Sequence, residues 1–91
     1  MRIKMGLSDQ DKANLFQFTA RIRQIGIQPY EIAFWLLEKD LQTIDSYLQK
    51  YPHNLDTEAT KLFTWVKDEF IGRFNRDCKI QQETLDYLLL Y

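Results

Sequence analysis

Pro29-Tyr-Glu-Ile-Ala-Phe-Trp-Leu-Leu-Glu-Lys-Asp-Leu-Gln-Thr-Ile-Asp-Ser-Tyr-Leu-Gln-Lys50 is the stretch whose reading decides the fold. Tyr30, Ala33 or Phe34, Leu37, Leu41, Ile44, Leu48 and then Tyr51 recur every three or four residues. No Gly, Pro or Asn lies between Pro29 and Pro52. The spacing predicts one amphipathic helix over about 29–50, roughly 33 Å long at 1.5 Å per residue. Pro29 suits a first helical position, where its missing N–H costs nothing, and Glu31 can reach back to cap the start. Pro52 stops the helix just beyond its last turn.

The same periodicity extends in both directions. Upstream, Ser8 and Asp11 are spaced as a capping box, and Leu15, Phe18, Ile22 and Ile25 form a stripe over 8–25. Gly26 stands where a left-handed residue ends a helix, with Ile27 placed to pack back on the last turn. Downstream, Asn54 or Asp56 caps a third helix over 55–75, striped by Ala59, Leu62, Phe63, Val66, Phe70 and Phe74. Asn75-Arg-Asp77 is a joint, and a last helix over 78–90 carries Ile80, Leu85, Leu88 and Leu89. No strand-like alternation occurs. The expectation is an all-α protein, a single domain over 1–91, built as a small antiparallel bundle of about four helices with short joints.

Composition narrows the function. The chain has 91 residues, with 12 Lys and Arg against 13 Asp and Glu, a net charge of -1, and 45% apolar residues. Disorder is excluded by that apolar fraction, and action as a polycation by the charge. Cys78 is the lone cysteine, so no intramolecular disulfide can form, and a reducing cytoplasm is the expected setting. Met1-Arg-Ile-Lys-Met-Gly is followed by Ser8-Asp-Gln-Asp-Lys12 rather than by an apolar signal core. No stretch approaches the ~20 apolar residues of a membrane span.

Chemistry has little to stand on. His53 and Cys78 are the chain's single His and single Cys, too few for a structural zinc site, which takes four such ligands. His53 follows a proline in a joint, where a solvated imidazole is ordinary. Cys78 near a helix start would need an unusually reactive thiol to act as a nucleophile. Gly6, Gly26 and Gly72 make no phosphate-binding loop. No enzyme, metal or cofactor is expected.

Two binding readings remain. Apolar residues exceed what the core stripes require: Ile32, Trp35 and Leu36 lie beside the stripe of 29–50, Trp65 beside that of 55–75, and Leu85-Asp-Tyr-Leu-Leu-Leu-Tyr91 is apolar nearly all round. Aromatic surplus of this kind marks interface cores. Trp35, Trp65, Tyr87, Leu89, Leu90 and Tyr91 are therefore the expected partner-binding residues of a regulatory protein–protein interaction module. Self-association as a homodimer is its commonest form.

The other reading starts from Glu31-Ile-Ala33, Leu36, Thr43-Ile44 and Tyr47-Leu48, a spacing similar to the helix-turn-helix of many DNA-binding proteins. That resemblance implies a turn at Leu37-Glu-Lys-Asp40, with Asp40 capping a recognition helix that presents Gln42, Thr43, Asp45, Ser46 and Gln49. The usual turn glycine is missing and the spacing is one residue long. Glu31, Glu38, Asp40 and Asp45 against Lys39 and Lys50 leave residues 28–50 at -2, the wrong sign for phosphate contacts.

Overall fold

The computed structural model describes residues 6–50 and 57–90, and the description below concerns those residues. The chain is all-α. Helix α1 covers Asp9–Gln24, α2 Pro29–Leu37, α3 Leu41–Lys50, α4 Thr57–Trp65, α5 Ile71–Arg76 and α6 Cys78–Leu90. A π-helical turn, Val66–Phe70, joins α4 to α5 without interruption, so the six elements form five rods packed around one core.

Local chemistry explains most of the boundaries. Ser8 and Asp11 form a reciprocal capping box at the start of α1, with both bonds at 3.0 Å. At its end Gly26 takes φ +86°, while Ile27 N–H donates to the Ile22 carbonyl and Gly26 N–H to that of Arg23. This is a Schellman ending, and it turns Ile27 into the core. Gln28 N–H donates to the Glu31 carboxylate ahead of α2. Asp77 is both the end of α5 and the cap of α6, accepting from the amides of Lys79 and Ile80. The joints around Asn54 and Asp56 lie outside the described residues.

The helix expected over 29–50 is two helices. Lys39 sits in the left-handed region at φ +55°, Asp40 N–H donates to the Trp35 carbonyl, and Lys39 N–H to that of Leu36. The geometry repeats the ending at Gly26, with a lysine in the glycine's place. Asp40 then starts α3: its carboxylate accepts from the Thr43 amide at 2.9 Å and the Thr43 hydroxyl at 2.6 Å. Because Asp40 and Thr43 satisfy the orphan amides of a new first turn, the break is self-contained.

The rod expected over 55–75 also differs, by its π turn, in which Ile71 N–H donates to the Val66 carbonyl five residues back. Ala59, Leu62, Phe63 and Val66 are buried, followed by Phe70, Ile71 and Phe74. At about 100° per residue, an α-helix would carry Phe74 about 80° away from Val66. The extra residue taken up by the π turn brings it back to within about 20°, so one face stays in the core.

That core is aromatic at its centre. Phe18, Phe63, Phe70 and Phe74 are fully buried; Phe18 meets Phe63 edge-to-face at 4.9 Å, and Trp65 stacks on Phe70 at 4.7 Å. Arg73 clamps the buried Asp11 carboxylate with two bonds of 3.0 and 2.6 Å, tying α5 to the start of α1. The Arg73 guanidinium, and next the Ser8 amide and hydroxyl, hold the Asp11 carboxyl below its usual range against the opposing pull of burial. Asn75 donates to the Leu36 carbonyl, so α6 departs from beside the end of α2 and packs along it.

Candidate interaction surface

Only Glu31 interrupts the apolar run of α2, so the helix is apolar on both sides, and the structure buries the side opposite to the expected one. Ile32, Ala33, Trp35 and Leu36 face the core, none more than 6% exposed. Tyr30, Phe34 and Leu37, spaced i, i+4 and i+7, face outward at 50%, 57% and 47% exposure. Leu41, the first residue of α3 beyond the turn, is exposed as well, at 42%. The expected core stripe held only while α2 and α3 were one helix in one phase. The left-handed turn at Lys39 uncouples them, and α3 still buries Ile44 while α2 turns its other face inward.

The expected contact residues consequently divide. Trp35 belongs to the core and stacks on Tyr47 at 5.2 Å, so it is corrected from surface to interior. Trp65 and Tyr87 are half-buried; the Tyr87 hydroxyl lies 3.2 Å from that of Thr19. Leu89 and Leu90 are exposed at the end of α6, whose buried line is Ile80, Thr84 and Leu88. Leu89, also expected in the core line of that helix, is thus on its outside. Tyr91 lies outside the described residues.

Tyr30, Phe34, Leu37 and Leu41 together expose roughly 400 Å² of apolar area, taking an aromatic side chain at about 200 Å² and leucine at somewhat less. Leu41 also lines a shallow depression of about 340 Å³ with Lys39, Ile71, Gly72, Asn75 and Arg76. Gly72 lies mid-helix in that lining, and a Cβ placed on it would meet no atom within 4 Å. Among the described residues, no neighbour accounts for the absence of a side chain there. Edge-to-face packing of Tyr30 on Phe34, ring centres 6.4 Å apart, builds the N-terminal end of the α2 face.

The helix-turn-helix residues lie beside this surface. Gln42, Ser46 and Gln49 are exposed on one face of α3. Thr43 is committed to Asp40, whose carboxyl its hydroxyl and then its amide hold below the usual range. Asp45 pairs with Lys67 at 2.7 Å, which raises the lysine's affinity for its proton.

Other chemistry is sparse. Cys78 is exposed at the first residue of α6, and His53 lies outside the described residues. Among the described residues, no three His, Cys, Asp or Glu side chains gather where a metal could sit, and no helix is long and apolar enough to cross a membrane. Comparison with protein families, characterised proteins and solved structures gives no match for the chain.

Sequence reasoning missed Tyr30, Phe34, Leu37 and Leu41 as a surface. Its signal was the all-round apolarity of residues 29–37, which shows that one face is surplus without showing which.

Proposed function

We propose that the protein is a non-catalytic helical interaction module of the cytoplasm, regulatory in role, that works by burying the outer face of α2 against another protein surface. The observation that carries this reading is the outer face of α2, Tyr30, Phe34 and Leu37, with Leu41 just beyond the turn, each at least 42% exposed. An apolar area of this size is about the largest that a small monomer ordinarily exposes, and such areas are often functional. Tyrosine and phenylalanine are also residues that interface cores favour. Leu89 and Leu90 at the end of α6 add a second, smaller apolar area.

A photo-crosslinking amino acid at position 34 tests this. Adducts to protein are expected in cells from position 34 and not from position 82 on the exposed side of α6. A chain equally silent at both positions would sink the reading.

A second reading, DNA binding through α2 and α3, gains support from the break at Glu38-Lys39-Asp40. It leaves two helices joined by a three-residue turn, the connection that helix-turn-helix units use. Gln42, Ser46 and Gln49 would then read bases. The opposing consideration is charge, because Lys39 and Lys50 are outnumbered locally by carboxylates. Fluorescence anisotropy on a mixed-sequence duplex at about 50 and 200 mM salt decides: phosphate contacts show as a steep loss of affinity with salt, and no binding at low salt ends this reading.

A further inference from the structure

We infer that the occupant of this surface is a second copy of the chain, with the Tyr30–Phe34 end of one α2 face seated in the Gly72 depression of the other copy. The inference rests on the interaction reading above and adds the partner. A two-fold pairing lets the same patch serve both copies, each contributing a projection and a recess.

Three observations on the molecule favour this occupant. The first is shape. The α2 face carries two aromatic rings at its start, and Leu41, beyond the turn that ends it, lines the hollow where the bare backbone of Gly72 lets a neighbouring side chain approach closely. An antiparallel arrangement of the two α2 helices brings each projection to the other copy's hollow.

The second is area. Homodimer interfaces are about 65% apolar, so roughly 400 Å² of apolar surface corresponds to roughly 600 Å² buried per copy. Doubled, that reaches about 1,200 Å², the lower edge of the range for specific, stable interfaces.

The third is charge. Glu31 stands at the projecting end, in the first turn of α2, while Lys39 and Arg76 line the hollow, with Glu38 and Asp40 on either side of Lys39. The antiparallel pairing sets each acid near the other copy's two bases, and the opposed helix dipoles add to the match. A strongly charged partner would find no such balance, since the patch as a whole is close to neutral.

Sedimentation velocity on the purified chain over about 1–500 μM, spanning the affinities expected of a small interface, is the test. The expected species has twice the monomer mass of 11.0 kDa and dissociates on dilution. Gly72→Leu fills the hollow from a position where the added side chain meets open space. It is expected to keep the helical content and weaken dimerisation at least about tenfold. Phe34→Ser, at an exposed site, is expected to do the same from the projecting side. A wild-type chain that stays at monomer mass throughout overturns the inference, as does a dimer whose dissociation constant neither variant moves. Crosslinking from position 34 separates the two levels. Adducts only to a different protein, with a monomeric purified chain, overturn self-association and leave the interaction reading standing. No adducts, together with a purified chain that stays monomeric, overturn both.

Discussion

Replacing Lys39 with glycine gives a test whose sign depends on the break in the chain. Lys39 holds φ +55° between α2 and α3, where a side chain other than glycine's costs roughly 1–2 kcal/mol. Glycine removes that cost but gives the unfolded chain more freedom, which offsets about 0.4–1 kcal/mol. The net expectation is a gain of about 0.5–1 kcal/mol, or roughly 2–8 °C in Tm for a domain of this size. Thermal melts by circular dichroism and urea titrations read it directly, with an unchanged m-value showing that only stability has moved. Had residues 29–50 formed one helix, glycine at its centre would cost about 1 kcal/mol instead. The two geometries thus predict opposite signs, and a Lys39→Gly chain that melts lower refutes the left-handed turn. Gly26, at φ +86° in the matching turn after α1, is the internal comparison: Gly26→Ala should destabilise by a similar amount.

Two further outcomes follow from the interior. Asp11→Ala removes a buried carboxylate that accepts two bonds from Arg73 and one from Ser8, and is expected to cost about 2 kcal/mol in chemical denaturation. Because the folded pKa of Asp11 is depressed, its contribution is present above the ordinary carboxylate value and fades as pH falls through the folded value. The wild-type acid limb should therefore lie below about pH 4 and be shallower in the variant; identical limbs would show that the pair contributes nothing. Thr84→Val addresses the opposite case, a fully buried hydroxyl with no hydrogen-bond partner among the described residues. Valine keeps the shape and removes the desolvation penalty, so melting should rise by the equivalent of about 1 kcal/mol. A lower melting temperature would mean that the hydroxyl has a partner.

What could be read in advance depended on whether the deciding chemistry was local. Ser8 with Asp11, Gly26 with Ile27, Pro29 with Glu31, and Asp77 all act within a few residues, and the element boundaries there follow from the string of letters. Asp40 and Thr43 were equally visible as a cap. They were outweighed by the apolar spacing that ran across them, which matches a single helix as well as two. The inward face of α2 was a tertiary decision. Ile32-Ala-Phe-Trp-Leu-Leu37 offers apolar residues in every direction, and only packing against α6 and α5 selects Trp35 and Leu36 over Phe34 and Leu37. The surplus of aromatic and aliphatic residues on α2 was therefore legible, and its exposed face was misplaced by about half a helical turn. The Arg73–Asp11 pair was out of reach for a similar reason: the two residues lie 62 positions apart.

The π turn at Val66–Phe70 also bears on how the chain tolerates changes in length. Counted from Ala59, the buried positions of the rod fall at offsets 0, 3, 4, 7, 11, 12 and 15. Subtracting one from each of the last three gives 0, 3, 4, 7, 10, 11 and 14, the spacing of an ordinary amphipathic α-helix. The rod reads as a regular helix into which a single residue has been inserted, with the surplus bulged out near the exposed Asp68 and Glu69 rather than passed down the chain. Deletions inside helices usually rotate everything beyond them. Here the loss of one residue from this turn would close the bulge and leave Phe74, Arg73 and the whole of α6 facing where they already face.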